Sequence, residues 1–236
     1  MTVAIIAHGG SSRDHPANSW AAFDAARADG ADRIECDIQT TADDVLIVRH
    51  DLTADGARVS EQTLASLRAI EPGLVLFDDL LGWCREQGLG VLAELKDRQS
   101  AGGVAGLVPR HDHRDVRVGS YNGPLLLDLK NGVDRITTSL MVGTVMGAGE
   151  MAYLAGRYGC AGVHPCWENR DPYPHALLER DTVAALQSNN LEVTLWHEER
   201  EDELEKLITL KPNGICTDTP KVLRRMLDGA AGAGGS

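Results

Sequence analysis

The sequence predicts an α/β fold in which a parallel sheet is covered by helices and closes into an eight-stranded barrel. Short apolar runs that suit β-strands alternate with amphipathic segments along the 236-residue chain. Glycines stand just before several of these runs, as they do where a helix ends and the chain returns to a sheet. The length suits one domain, because α/β barrels of about 250 residues fold as a single unit.

Nine runs are candidates for the eight barrel strands. They are Val3–Ala7, Arg33–Ile38, Val45–Arg49, Gly90–Leu95, Val116–Gly119, Arg135–Thr138, Ala161–His164, Leu191–Trp196 and Gly214–Thr217. The third follows its neighbour without an intervening helix, so we expect that run to be irregular. Amphipathic segments predict helices at Ser19–Ala28, Glu61–Arg68, Asp78–Gln87, Thr182–Ser188, Glu201–Leu210 and Lys221–Leu227. We expect a single barrel domain over residues 1–228, without a sizeable insertion, and a disordered Gly/Ala-rich tail at 229–236.

Composition excludes several classes of protein. The chain has 35 acidic and 23 basic residues, a formal charge of −12, which argues against a nucleic-acid binder because such proteins carry a basic patch. No stretch approaches the roughly 18 continuous apolar residues that cross a membrane, and the N-terminus lacks the basic region of a signal peptide. Five widely spaced cysteines predict buried thiols in a reducing compartment. We therefore expect a cytoplasmic protein.

Acidic residues and a lysine close two of the predicted strands. Side chains at i and i+2 of a strand share a face, so Glu35 and Asp37 point one way and Cys36 the other. Glu94 and Lys96 form a second pair with the same spacing. Strands of a parallel sheet are usually buried on both faces, so charged residues on them need partners.

Two interpretations of these acids are open. Three neighbouring carboxylates would repel one another, and a divalent cation would resolve that repulsion. All-oxygen ligation suits Mg²⁺ or Ca²⁺ better than zinc. Alternatively, Glu35 and Asp37 form a buried ionic network with Arg33, Arg49 and Lys96.

Two histidines each follow a predicted strand. His8 comes after Val3–Ala7, and His50 after Val45–Arg49. Residues at the carboxyl ends of barrel strands are placed for catalysis, and a pair of imidazoles can act as general base and general acid near neutral pH. Trp196 also ends a strand, where it either offers its face to a cationic head group or fills the core.

The order of these residues along the chain resembles that of the glycerophosphodiester phosphodiesterase family. That family's pattern is His-Arg-Gly, Pro-Glu-Asn-Thr, Ala-Phe, Gly-Ala-Asp, Ile-Glu-x-Asp, His-Asp and Glu-x-Lys. The matching pieces here are His8-Gly-Gly, Pro16-Ala-Asn18-Ser, Ala22-Phe23, Gly30-Ala-Asp, Ile34-Glu-Cys-Asp37, His50-Asp51 and Glu94-Leu-Lys96. Later pieces also resemble the family, among them Val193-Thr-Leu-Trp196 and Gly214-Ile-Cys-Thr-Asp-Thr-Pro220.

The resemblance implies a TIM-type (β/α)8 barrel of the phospholipase-C-like phosphodiesterase type. Such enzymes hydrolyse glycerophosphodiesters to sn-glycerol 3-phosphate and an alcohol, and a small phosphodiester is the only partner implied. The metal ligands would be Glu35, Asp37 and Glu94, with one Mg²⁺ or Ca²⁺. The catalytic groups would be His8, His50 and Lys96, the histidines as the acid–base pair and the lysine as the cation on the phosphoryl oxygens.

The chain departs from the family pattern at two positions. Gly9 replaces the arginine that follows the first histidine, and Ala17 replaces a glutamate. Arg13 or Arg49 is the candidate replacement for the lost phosphate contact. Two other functions remain open: a phospholipase D-like activity on lysophospholipids or sphingomyelin, and a silent barrel that binds phosphodiesters without cleaving them.

Overall fold

A computed structural model describes residues 3–133, 136–168, 170–178 and 181–233. The strands are β1 Ala4–Ala7, β2 Arg33–Thr40, β3 Leu46–Val48, β4 Thr53–Ala54, β5 Ala57–Arg58, β6 Val75–Leu76, β7 Gly90–Leu95, β8 Val116–Ser120, β9 Thr137–Val142, β10 Gly162–Pro165, β11 Glu192–Leu195 and β12 Gly214–Thr217. The helices are α1 Trp20–Ala28, α2 Leu64–Ile70, α3 Phe77–Gln87, α4 Ser100–Leu107, α5 Gly123–Gly132, α6 Ala148–Arg157, α7 Thr182–Ser188, α8 Glu201–Thr209 and α9 Pro220–Ala233.

Eight parallel strands form a closed barrel, as the sequence predicts. Their order around the barrel is β1, β2, β7, β8, β9, β10, β11 and β12, and β12 pairs with β1 to close it. One hydrophobic layer lies between the strands and the surrounding helices and includes Ile5, Ile34 and Phe23. A smaller apolar cluster, which includes Ile6 and Leu92, fills the barrel interior. Successive residues of a strand belong in turn to the outer layer and to this interior cluster.

The run Val45–Arg49 does not contribute a barrel strand. Its ordered part, β3, is antiparallel to β2, with Val48 opposite Ile38, and β6 is antiparallel to β3. β2 is long enough to pair with both barrel neighbours and then with β3. The expected irregularity of this run is therefore confirmed, and the expectation that His50 follows a barrel strand is wrong.

Caps at helix ends fix the loops that follow two of the barrel strands. The Ser19 hydroxyl accepts a hydrogen bond from the Ala22 amide at 3.3 Å and starts α1. The Asn122 side chain accepts one from the Leu125 amide at 3.2 Å and starts α5. These caps set where the loops after β1 and β8 end.

Other parts of the chain differ from the sequence-based expectations. α4, α5 and α6 lie in segments where no helix was predicted. The strand predicted at Arg135–Thr138 begins outside the described residues, and β9 runs from Thr137 to Val142. The tail at 229–236 stays a prediction: α9 includes residues 229–233, and 234–236 lie outside the described residues.

The five cysteines are all free and buried, which confirms the prediction of buried thiols; the predicted reducing compartment stays a prediction. Within the described ranges, no helix has the length and apolar character needed to cross a membrane.

Candidate active site

Three carboxylates meet inside the barrel. Glu35 and Asp37 lie on β2, and Glu94 lies on the neighbouring β7 directly opposite Asp37. Their exposed fractions are 0, 4 and 5%. One oxygen of each lies within 4.8 Å of the others, whereas Cys36 belongs to the core that faces the helices. The i, i+2 spacing therefore places two carboxylates on one face, and β7 adds the third.

Lys96 neutralises part of this negative charge. Its Nζ lies 3.0 Å from Oδ1 of Asp37 and 2.8 Å from Oε1 of Glu94. Burial opposes the charge on Lys96, but the two carboxylates outweigh burial and raise the pKa of the lysine. Three acids against one lysine leave the group with excess negative charge when all are ionised.

The two arginines considered as alternative partners pair with other residues. Arg33 Nε lies 3.0 Å from Asp115, and Arg49 Nε lies 3.4 Å from Glu71. Of the buried ionic network considered from the sequence, only the Lys96 contacts are present. The arginine part of that alternative is wrong because both guanidiniums are drawn to other carboxylates.

Glu35 is a buried carboxylate whose ionised form is disfavoured. Burial, and then the charge of Asp37, raise the pKa of Glu35 well above its usual value. Its Oε2 accepts a hydrogen bond from the Gly9 amide at 2.8 Å, while its buried Oε1 has no partner among the described residues. An unpartnered oxygen beside two further carboxylates fits a hard divalent cation such as Mg²⁺ or Ca²⁺.

His8 directly follows β1, and its ring is held on several sides. Nδ1 lies 2.7 Å from Oδ1 of Asp218. The ring centroid lies 5.1 Å from that of Trp196, edge to face, and 4.2 Å from that of His197, stacked. Burial lowers the pKa of His8, but Asp218 and then Glu35 outweigh burial and raise it to about 9. His8 is therefore protonated at neutral pH, with Nδ1 donating to Asp218 and Nε2 carrying the second proton.

Asp218 and His197 were not singled out from the sequence. Asp218 follows β12 as His8 follows β1, and these strands pair with Thr217 opposite Ala7. The signal was a carboxylate directly after an apolar run, but its meaning depends on knowing that β1 and β12 are neighbours. His197 carried only the signal that it lies two residues after β11.

His8, His197 and Asp218 also have ligand atoms within 4.8 Å of one another. The two imidazole rings are stacked with an angle of 25° between their planes. A metal ion must lie close to the plane of each imidazole that binds it. Nearly parallel stacked rings do not share such a point, so this group is poorly arranged to hold a metal ion.

His50 lies in the loop after β3, and its side chain is 67% exposed. Its Nδ1 lies 3.0 Å from Oδ1 of Asp51. The buried Gln39 side chain donates hydrogen bonds to the carbonyls of Arg49 and Asp51 at 2.6 and 2.9 Å, which holds the backbone on either side of His50. The charge of His50 is among the causes that lower the pKa of Glu94, although burial keeps that pKa raised. The charge of His50 therefore acts on Glu94 from the loop after β3, whereas the described side-chain hydrogen bond of His50 is to Asp51.

Gly9 and Asn18 hold the loop after β1 against the carboxylates. Asn18 Nδ2 donates to Oδ2 of Asp37 at 2.7 Å. Gly9 has φ +59°, and a Cβ there would lie 2.9 Å from Cβ of Ala17. An arginine at position 9 would therefore meet both backbone strain and a steric clash.

The structure places the two residues predicted to bind substrate differently. Arg13 is exposed, its amide donates to the Asp218 carbonyl at 3.3 Å, and its charge acts on Glu199. Trp196 is only 8% exposed, because its ring also stacks on His164 at 6.1 Å. Little of the Trp196 face is open to a ligand, and a substrate contact for either residue stays a prediction.

A cavity of about 1040 Å³ opens beside the carboxylates. Glu94 and Lys96 are among its lining residues, as are Tyr121 and Arg170. Its apolar lining includes Leu125, Leu140, Met141, Val142, Met146 and Leu154. Glu94 and Lys96 of the charged cluster are therefore accessible from this cavity, whose lining is polar and apolar in about equal parts.

Comparison with known proteins identifies relatives. The model of the "Glycerophosphoryl diester phosphodiesterase family" matches residues 8–222. A glycerophosphodiester phosphodiesterase of Caldanaerobacter subterraneus subsp. tengcongensis is 26% identical over 247 residues, which cover 94% of this chain and 97% of that protein. Among solved structures, a glycerophosphodiester phosphodiesterase of Parabacteroides distasonis has a TM-score of 0.83 at 21% identity and covers 98% of each chain. An Oleispira antarctica phosphodiesterase in complex with the product sn-glycerol-3-phosphate has a TM-score of 0.84 at 18% identity, over 96% of this chain and 97% of that one.

Proposed function

This chain belongs to the glycerophosphoryl diester phosphodiesterase family, a family of phosphoric diester hydrolases, and we propose that it hydrolyses glycerophosphodiesters to sn-glycerol 3-phosphate and an alcohol. The carrying observation is the position of Lys96, which lies 2.8 Å from one of three buried carboxylates and lines an open cavity. A phosphodiester is an anion, so in this acidic protein it needs such a local cation.

A divalent cation, Mg²⁺ or Ca²⁺, would be held by Glu35, Asp37 and Glu94. When bound, it supplies charge stabilisation for the anionic phosphoryl group. Lys96 supplies further positive charge from its place between two of the carboxylates. Gly9 and Asn18 hold Glu35 and Asp37 through the hydrogen bonds described above, which keeps those ligands oriented.

The two histidines transfer protons on opposite sides of the reaction. A neighbouring glycerol hydroxyl attacks phosphorus and gives its proton to His50, while the bond from phosphorus to the alcohol oxygen breaks. The departing oxygen takes the proton of His8 Nε2, because Asp218 keeps that ring protonated. Water then opens the cyclic phosphate, as His8 takes a proton from the water and His50 returns its own to the glycerol oxygen.

Release of glycerol 3-phosphate from glycerophosphocholine tests this proposal. It is measured with Mg²⁺, with Ca²⁺ and with chelator, for the wild type and for the variants His8→Ala and His113→Ala. His113 hydrogen-bonds to the Leu89 carbonyl just before β7, away from the carboxylates, and is a matched control. Metal-dependent release that only His8→Ala abolishes supports the proposal. Absence of release from the wild type refutes it for small glycerophosphodiesters, and binding without turnover would indicate a silent barrel.

The apolar part of the cavity lining favours a second candidate, phospholipase D-like cleavage of lysophospholipids. Met146 and Leu154, which are only partly buried, line this cavity and can contact an acyl chain that glycerophosphocholine lacks. Comparing kcat/KM on lysophosphatidylcholine and glycerophosphocholine separates the two candidates. A higher value for the lysolipid would make it the principal substrate class.

Arg13 is proposed to replace the phosphate contact that Gly9 lacks. The other candidate, Arg49, has its guanidinium held by Glu71 and by the Asp51 carbonyl. A charge-assisted hydrogen bond contributes about 1.5–3 kcal/mol, and exposure weakens it. Arg13→Ala should therefore raise KM about tenfold, at the lower end of that range. An unchanged KM and kcat would contradict the proposal.

A further inference from the structure

Three adjacent barrel strands are followed by a histidine, an aspartate and a histidine. His8 follows β1, Asp218 follows β12, and His197 lies two residues after β11, with β12 between the other two strands. The single carboxylate of Asp218 thus faces two imidazoles. Its Oδ1 lies 2.7 Å from Nδ1 of His8, and its Oδ2 lies 3.9 Å from Nε2 of His197.

The contacts of the two histidines are unequal. The short distance makes a hydrogen bond between His8 and Asp218, whereas 3.9 Å is too long for one. The buried Nδ1 of His197 has no hydrogen-bond partner in the described part of the chain. What His197 does contact is the ring of His8, stacked at 4.2 Å. His197 is therefore held against His8 rather than by hydrogen bonds of its own.

We propose that His197 is a positioning residue that, as a neutral ring, holds His8 in hydrogen-bonding position on Asp218 and, when protonated, displaces it. This rests on the proposed role of His8 as proton donor. A protonated His197 competes with His8 for the charge of Asp218, and two positively charged stacked rings repel. Protonation of His197 therefore weakens the His8–Asp218 bond and turns off the enzyme at acidic pH.

The groups around His197 set the pH at which it is protonated. From other elements it faces His8, Glu168 in the loop after β10, and Asp218, and its own segment contributes Glu198 and Glu199. Burial, and then the charge of His8, lower the pKa of His197 below 6.5 despite these acids. The acid limb of the pH–rate profile is therefore expected below pH 6.5.

The test compares kcat and KM across the pH range for His197→Ala, His197→Phe and the control His113→Phe. His113 suits as a control because burial also lowers its pKa, at a position away from the reaction. His197→Ala removes the stacked ring, so kcat should fall about tenfold or more, since small misplacements of catalytic groups have such effects. KM should stay within about twofold, because His197 is not among the residues that line the cavity beside Lys96 and a positioning role involves no substrate contact. His197→Phe keeps a flat ring without a titratable proton, so it should restore most of kcat and remove the contribution of residue 197 to the acid limb.

Two results would overturn the proposal. One is equal loss of kcat in His197→Ala and His197→Phe with the acid limb unchanged, which is what a merely structural residue would give. The other is a histidine NMR titration in which the ring signals of His8 do not respond while His197 is titrated. That titration needs no turnover, so it tests the positioning of His8 even if the wild type proves inactive and the proposed function fails.

Discussion

Glu35→Gln should stabilise the metal-free protein and abolish its stabilisation by metal. The substitution keeps the shape of the side chain, and the glutamine oxygen can still accept the hydrogen bond of the Gly9 amide. The other end of the side chain, where Oε1 has no partner, becomes an NH₂ group. That group can donate to Asp37 or Glu94, whose oxygens lie within 4.8 Å of Glu35.

The size of the stabilisation follows from replacing the unpartnered Oε1 oxygen by an NH₂ group that donates a hydrogen bond. A hydrogen bond to a charged group is worth about 1.5–3 kcal/mol, so we expect about 2 kcal/mol of added stability. For a domain of this size 1 kcal/mol moves Tm by about 2–4 °C, which makes the expected rise about 4–8 °C. Metal should stabilise the wild type by about 2.7 kcal/mol at one hundred times its Kd, and the variant by much less.

The pH dependence of the stability provides a separate check on the sign of this effect. The pKa of Glu35 is raised in the folded protein, so folded Glu35 binds its proton more tightly than unfolded Glu35. The stability of the metal-free wild type therefore falls as pH rises above the usual glutamate value of 4.5. The advantage of Glu35→Gln should accordingly shrink as the pH is lowered towards that value.

Thermal unfolding in chelator and with added Mg²⁺ or Ca²⁺ measures both effects. Glu192→Gln is the matched control, because Glu192 pairs with Arg117 at 2.8 Å and its pKa is lowered. That substitution should destabilise the protein with and without metal. A Glu35→Gln variant with an unchanged or lower Tm in chelator, and with the metal response of the wild type, would refute the reasoning.

Three further predictions concern single residues of the site. Asp218→Asn should lower the pKa of His8, so the alkaline limb of the kcat/KM profile should move to lower pH by more than about one unit; a limb that stays in place would contradict this. Gly9→Arg, which introduces the family residue, should lower Tm because its Cβ would meet Ala17 at 2.9 Å, and a rise in kcat/KM without loss of Tm would show this to be wrong. Lys96→Met should reduce kcat about a hundredfold or more, with Lys96→Arg retaining more activity, and equal activity of the two variants would exclude a role for the charge.

The carboxylates were predictable from the sequence because their placement is local. A strand alternates its side chains regardless of the rest of the fold, so Glu35 and Asp37 share a face wherever β2 lies. The pairing of β2 with β7, which brings Glu94 opposite Asp37, follows once a barrel is assumed. Predicting that the three carboxylates lie together therefore requires little information beyond their spacing in the sequence.

The surroundings of the histidines were not predictable in the same way. The run that precedes His50 is as apolar as a barrel strand, and only its antiparallel pairing with β2 distinguishes it. Asp218 lies 210 positions from His8 along the chain, and only the closed barrel brings them together. The relevance of His197 depends on its stacking against the ring of His8, which the sequence does not indicate.

The helices missed by sequence reasoning have a different cause. α4 contains Gly102, Gly103 and Gly106, which are among the weakest helix formers. A Cβ at Gly103 would lie 3.0 Å from the Leu46 side chain. Close packing against the strand β3 therefore accounts for a glycine there, and tertiary contacts make the helix that local propensity does not favour.

The closing seam of the barrel has a consequence for biosynthesis. β1 emerges early from the ribosome, but its partner β12 and the carboxylate that follows it are made 210 residues later. A nascent chain can therefore assemble the acids of β2 and β7 long before His8 acquires Asp218. The onset of hydrolysis during translation would therefore report when the last strand enters the barrel. A ribosome stalled before codon 218 should carry a chain that is partly folded and inactive.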